Sequence, residues 1–404
     1  MPSVVVFLGD GMADEPLEEL NGKTPIEAVH TPAMDKITAS GLSGTLLTLP
    51  KAFPTSSDVA NMSVLGYDLK KYYFGRGPLE AAAQGISLAS DEIAFRCNIV
   101  NIQNEILIDY SSGHIDNKLS KIIINDLKKE FDSEKIKFHT GVSYRNLLVL
   151  KGDEFSPEIV YKKPDSSQGL AIAKLLPKAI DSNNKKAVYT AQFISELMYK
   201  TYDFLKDHHL TKELKNPPNM VWPWSPGKKT DMPSFENLYG YKAGVITAVD
   251  VIAGLAKSTN MDIIPVEGAT GFIDTNYENK AQAAIKAIKE DDYKFLYLHV
   301  EAVDECSHMG DLKLKMQAIK DFDSRIVGPV MEGLKGQDVT FAVLPDHPVP
   351  VKLRKHTRTP VPFSVCGKHI NKDNINSYSE IQALNGAAGQ LQGNEFMKLI
   401  LGKK

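Results

Sequence analysis

Three apolar runs in this chain end on residue types that bind metals. Residues 4–8 lead into Gly9, Asp10 and Gly11. Residues 295–300 lead into "EAVDECSHMGD", which carries Asp304 and His308. Residues 339–344 lead into "PDHP", with Asp346 and His347, and His356 follows in "RKHT". Each feature alone has an ordinary explanation: a turn, an exposed helix, a proline-bounded loop, a surface histidine. None of these explains why all three runs end this way. Asp304 and His308 are four apart, so on a helical turn they share a face and can hold one ion. Three aspartates and three histidines exceed the needs of one ion. They suit two ions about 4 Å apart, as in two-metal phosphoryl transfer. Mixed oxygen and nitrogen donors favour manganese or zinc over calcium, and magnesium fits the histidines poorly.

A nucleophile is available. "FPTSSDVANMSVLGYD" places Ser56 and Ser57 just before an expected helix. Serine there is ordinarily a helix cap. Beside a two-metal site it can also attack phosphorus, and the helix N-terminus favours an anion.

The elements that must position these residues follow from patterning. Strands apolar on both faces, such as "SVVVFLG", "FLYLHV" and "VTFAVL", belong in a central parallel sheet. "TPAMDKITASG" predicts a helix from about Pro32 to Gly41. "DLKLKMQAIKDFDSRIVGPVMEGLKG" predicts a long amphipathic helix between two of the strands. Strand–helix–strand units give right-handed parallel crossovers, and ligands bind at the carboxyl edge of such sheets. The middle of the chain alternates short strand patterns with helices and reads as a smaller α+β domain. Residues 216–233, "NPPNMVWPWSPGKKTDMP", gather prolines and read as a stiff hinge or loop. The expected organisation is a discontinuous core, 1–80 with 225–404, carrying an inserted domain, 81–224, with the hinge near 216–233.

Composition excludes several classes. The chain has 404 residues, a hydrophobic content of 43% and a net charge of −3. It can bury a large core, and no broad basic surface for nucleic acid is implied. Three scattered cysteines form no C-x-x-C pair, so neither a disulfide framework nor a zinc knuckle is expected. The chain runs straight into "VVVFLGDG" with no signal-peptide pattern, and no apolar run approaches bilayer length. A cytoplasmic protein without membrane partners is expected, and a homo-oligomer is compatible with this reading. "DHHL", with His208 and His209, reads as a solvated segment because adjacent helical residues point apart.

The ordered set GDG, TSSDVAN, DECSH, PDHP and KHT resembles the alkaline-phosphatase-like metalloenzymes. "SDVANMSVLGYD", "GRGPLEAA", "SSGHI", "GVSYRNLLV", "GATGFIDTNYENKAQAA" and "LPDHPVPVKLRKHT" more closely resemble the archaeal-type cofactor-independent phosphoglycerate mutases, over about residues 4–365. The resemblance implies an α/β fold: an alkaline-phosphatase-like core with a mainly parallel sheet flanked by helices, plus an inserted smaller α+β domain. It implies that Ser57 becomes phosphorylated. It implies that Asp10, Ser57, Asp346 and His347 hold one divalent metal, and Asp304, His308 and His356 the other. Lys242, in "YGYKAG", matches a lysine facing the substrate phosphate, and His114, in "SSGHI", a histidine near the glycerate. Arg76, Arg96 and Arg145 are candidate clamps for carboxylate or phosphate, since guanidinium groups bind these bidentately; structural ion pairs are the competing role. Asp109 and Asp116 are candidates for a general base. The implied reaction takes the phosphate of 3-phosphoglycerate onto Ser57 and returns it to the other hydroxyl of a trapped glycerate. The inserted domain would serve as a lid.

One stretch departs from the family pattern. Trp222 to Pro226 stand where a Gly-Gln-Gly-Lys type loop is expected, and this variant resembles a branch proposed to phosphorylate homoserine. An ATP-dependent kinase of a small hydroxy amino acid is therefore the second reading. A metal-dependent phosphomonoesterase and a non-catalytic metal-binding protein are the others.

Overall fold

The computed structural model describes residues 2–229 and 231–403. It divides into two compact units, Met1–Tyr73 with Met232–Lys404, and Phe74–Asp231. The expected boundaries at 80/81 and 224/225 are thus displaced. The helix Gly77–Ala83 packs on the strand Glu92–Gln103, and the strand Met220–Lys228 pairs with it, so both belong to the inserted unit.

The discontinuous unit is built on an eight-stranded sheet. Its order is Asp262–Ile263, Ala243–Ile246, Phe295–Val300, Ser3–Gly9, Val339–Leu344, Val361–Cys366, Leu42–Leu47, Gln390–Gln392. The first five strands run parallel. Val361–Cys366 is antiparallel to both its neighbours, and Gln390–Gln392 is parallel to Leu42–Leu47. The Ser3–Gly9 strand is buried along its whole length, as its unbroken apolar run requires in a sheet covered on both faces. Helices Pro32–Ala39 and Tyr277–Lys289 contribute Met34, Ile37, Ala281 and Ala284 to the core around Val5 and Phe7.

The long helix predicted after Asp311 is interrupted. Leu312–Asp321 is α-helical, Phe322–Val327 is π-helical, and Gly328–Gly333 resumes the α-helix. Pro329 has no N–H to donate, and a π segment is one way to accommodate the missing bond. Within it, Asp323 accepts from the amides of Ala33 and Met34 at 3.3 and 2.7 Å, closing the N-terminus of the Pro32–Ala39 helix.

The inserted unit is an antiparallel sheet with helices. Glu92–Gln103 pairs with Arg145–Lys151, Met220–Lys228 and Ile106–Asp109. Asn104 and Glu105 both have positive φ, 48° and 57°, which makes the link to Ile106–Asp109 a two-residue hairpin. Half of the stretch expected as a hinge or loop, 216–233, is a strand, and the boundary between the two units lies in the same stretch, at Asp231/Met232. Met220–Lys228 pairs only with Glu92–Gln103 among the described strands, so it is an edge, where prolines lacking an N–H are tolerated. Trp222 and Trp224 lie in this unit's core. Their indole N–H groups donate to Lys162 O and Asn98 Oδ1. The solvated reading of His208 also fails: it is buried, 3.3 Å from Asp126 Oδ2. No helix among the described residues is long and apolar enough to cross a membrane.

Candidate metal centre and nucleophile

Three neighbouring parallel strands release their ligand-type residues at one sheet edge. Asp10 follows Ser3–Gly9, and its amide donates to Val300 O at 2.9 Å, level with the end of the adjacent strand. Asp304 and His308 lie on the short helix Ala302–Met309 after Phe295–Val300. Asp346 and His347 follow Val339–Leu344. Asp10–Asp346–His347 and Asp304–His308–His356 each bring their donor atoms within 4.8 Å of one another, and Glu301 and Glu305 form a third such group with Asp304. The first two adjoin: the rings of His347 and His356 stack with centroids 3.8 Å apart.

The electrostatics of the first group call for a cation. Asp10 and Asp346 are buried. Burial, then repulsion from Asp304 and Glu301, holds the Asp10 carboxyl well above its ordinary range. Burial and the neighbouring Asp10 do the same to Asp346. Among the described residues, only histidines come within 4.0 Å of either carboxylate as ion-pair partners. Burial, reinforced by His356 and His308, pushes His347 well below its ordinary value, leaving it a neutral donor of a lone pair. Two carboxylates beside a neutral imidazole fit a divalent cation, which would supply the missing charge. In the second group, the Nε2 atoms of His308 and His356 face each other at 3.0 Å beside Asp304.

Ser57 is the first residue of the helix Ser57–Val64, and Ser56 occupies the cap position without a side-chain cap bond. The Ser57 hydroxyl is half-buried and lies 3.2 Å from His347 Nε2. Asn61, one turn on, donates to Ser57 O and Asp346 Oδ2, both at 2.8 Å, and Tyr297 donates to Asn61 Oδ1 at 2.5 Å.

Sequence reasoning missed His299. It is fully buried, and its Nε2 lies 2.9 Å from Asp10 Oδ2. Burial pulls it down to about 4, so near neutrality it carries one N–H. Donated to Asp10, that proton leaves Nδ1 to accept from the Thr247 hydroxyl at 3.2 Å. A lone histidine inside "FLYLHV" was the available signal.

The structure does not bring Lys242 to this site. It precedes Ala243–Ile246, level with Lys294 and Phe295 at the amino ends of the strands. A strand length of roughly 17 Å separates that level from the edge carrying Asp10. Its ammonium donates to Asp291 O at 3.0 Å and lies over the Tyr293 ring. Motif likeness could not tell which end of the strand the lysine would occupy.

The remaining candidates lie in the inserted unit. Glu80 pairs with both Arg76 and Arg96, at 2.8 and 3.0 Å, so one carboxylate faces two guanidinium groups. Arg96 is buried over the Trp224 ring, and burial with the charges of Arg76 and Arg145 lowers it to about 10. Arg145 lies over Tyr144, whose ring also meets His114 edge-on. Asp109 closes a turn by accepting from Ser111 and Gly113, and Asp116 caps the helix Asn117–Phe131. Both carboxylates are therefore occupied structurally.

Residues 38–211 match the family model described as 2,3-bisphosphoglycerate-independent phosphoglycerate mutase. A protein of that name from Methanosarcina mazei is 41% identical over 98% of both chains. The chain belongs to this family. Among solved structures, a Pyrococcus horikoshii protein superposes on this family member with a TM-score of 0.82 at 25% identity, covering 100% of this chain and 98% of that one. A cofactor-independent phosphoglycerate mutase from Thermoplasma acidophilum shares the mutase fold, with a TM-score of 0.67 at 23% identity over 100% of both chains.

Proposed function

We propose that this chain interconverts 3-phosphoglycerate and 2-phosphoglycerate through a phosphoserine at Ser57, without bisphosphoglycerate. One observation carries the reading: a serine hydroxyl at a helix N-terminus, 3.2 Å from His347, beside two adjoining carboxylate–imidazole groups. Kinship with named mutases over almost the whole chain supports it. Asp10, Asp346 and His347, with Ser57, would hold one divalent ion, and Asp304, His308 and His356 the other. The mixed donors favour manganese or zinc. Such ions, when bound, polarise phosphoryl oxygens and make a nearby hydroxyl more acidic.

The chain's own residues account for the rest. Ser57 Oγ attacks phosphorus in line and the bond to the C3 oxygen of glycerate breaks. The proton lost by Ser57 balances the one gained by the released hydroxyl. After glycerate turns, its 2-hydroxyl attacks the phosphoserine and Ser57 is regenerated. The helix N-terminus favours the phosphoryl charge throughout. Arg76, Arg96, Arg145 and His114 are the proposed binders of the substrate's anionic groups in the inserted unit. Arg76 and Arg96 converge on one carboxylate, Glu80, and Arg145 is near enough to act on Arg96, which supports that role.

Phosphorus NMR of the manganese-loaded protein with 3-phosphoglycerate, without ATP, tests the reading. A growing 2-phosphoglycerate signal that chelator abolishes is expected. Absence of any new ester would sink it. Ser57→Ala should lower turnover on the order of 10⁴-fold or more and abolish phosphoenzyme, while manganese binding at the Asp304 group persists.

A further inference from the structure

Lys315 has no part in the reaction just described, yet its side chain is completely buried at the base of the site. It sits in the first turns of the helix Leu312–Asp321, on the face it shares with Ala318 and Ile319. A lysine there costs desolvation that an apolar residue would avoid. Its partners show what it holds. The ammonium donates to Asp14 Oδ2 at 2.7 Å, to Val349 O at 2.9 Å, to Gly11 O at 3.3 Å and to Ala13 O at 3.5 Å.

These partners come from two loops. Gly11, Ala13 and Asp14 follow Asp10, and Val349 follows Asp346 and His347. Asp14 Oδ2 also accepts from Val351 N at 3.0 Å, and Val349 N donates to Ala13 O at 3.1 Å. The loops therefore cross-link through backbone bonds, with one buried ammonium at the crossing. The helix bearing Lys315 follows Ala302–Met309 after a single turn, so the same residue is anchored to the segment carrying Asp304 and His308. Gly11 packs directly on Asp304: a Cβ there would lie 2.6 Å from its Oδ1.

We infer that Lys315, paired with Asp14, is a positioning residue for the metal groups, fixing the Asp10 loop against the Asp346–His347 loop. The inference rests on reading those groups as metal sites. The Lys315 ammonium bonds Asp14 and three backbone carbonyls rather than the ligand-type side chains. It acts by setting the separation of Asp10 from Asp346 and His347, which one bound ion must match. Residues that orient ligands in this way typically govern metal affinity by about 10–100-fold.

The test compares manganese affinity, by calorimetric titration of metal-free protein, with the thermal stability of that metal-free protein. Lys315→Met alone leaves the Asp14 carboxylate buried and unpaired, which can prevent folding. The double variant Lys315→Met/Asp14→Asn removes both charges. It is expected to melt close to wild type without metal, yet to bind manganese at least about tenfold more weakly. Ile319→Ala, on the same helix face, is the control: it should lower metal-free stability while leaving manganese affinity near wild type. Wild-type affinity in the double variant would overturn the inference, as would a loss in Ile319→Ala as large as in the double variant. If wild-type protein takes up no manganese or zinc, the metal reading itself fails, and that outcome is distinct from both.

Discussion

Gly11 shows how closely single residues are constrained at this edge. Its φ is +63°, and an added Cβ would also meet the Asp304 backbone at 2.8 Å. The left-handed backbone and the collision act together. Gly11→Ala is expected to destabilise the fold by about 2–4 kcal/mol and to weaken manganese binding, as read by urea unfolding and calorimetric titration. Unchanged values in both would show that the loop relaxes freely. His299 makes the complementary case. Its contact with Asp10 is polar and fully buried, so His299→Leu should preserve the apolar strand yet cost about 10–100-fold in metal affinity. Equal affinity in the variant would remove His299 from the site. The metal-type residues at the strand ends were legible because they break apolar runs. His299 was not, because burial inside a strand gives a histidine no mark of its partner.

Among the elements, residues 216–233 depart from the expectation over Met220–Lys228, while the unit boundary at Asp231/Met232 falls in the same stretch. Proline content suggested a hinge, whereas the edge position of Met220–Lys228 accommodates Pro223 and Pro226 in a paired strand. Edge or centre is a property of the sheet, so local composition cannot report it. A second element-level feature is the tie between the loop after Asp10 and the helix Pro25–Ala28. Glu380 accepts from Asp14 N at 3.0 Å and from the hydroxyl of Thr24, that helix's cap, at 2.7 Å. Burial nevertheless pushes Glu380 up to about 7. A carboxyl raised on folding stabilises in its protonated form. That contribution is fully present below the unfolded value near 4.3 and is lost as pH rises through about 7. Wild type should therefore lose stability relative to Glu380→Gln between roughly pH 4.3 and 7, by at most about 3 kcal/mol and less where water reaches the half-buried side chain. Parallel stability–pH curves for the two proteins would refute this.

At the scale of the whole molecule, each unit has its own core. Both tryptophans, Trp222 and Trp224, lie in that of the inserted unit. Near where the chain enters this unit, Gly75 packs against the strand Met220–Lys228: a Cβ there would collide with Pro226 O. The excised segment 74–231 is expected to unfold cooperatively in urea with the blue-shifted tryptophan emission of buried indoles. Red-shifted emission without denaturant would show that its fold depends on the rest of the chain. The sequence by itself determined the class of fold and which ligand-type residues end its strands. Apolar runs dictated a parallel sheet buried on both faces, the residues ending those runs dictated carboxylate–imidazole groups at its carboxyl edge, and extended motifs identified the family. Tertiary structure alone decided which unit each segment joined, that Lys242 sits at the opposite edge, and that Lys315 turns inward to bridge two loops. Periodicity and residue type record what a side chain can do. Strand order, register and the meeting of segments hundreds of residues apart decide which partners it finds.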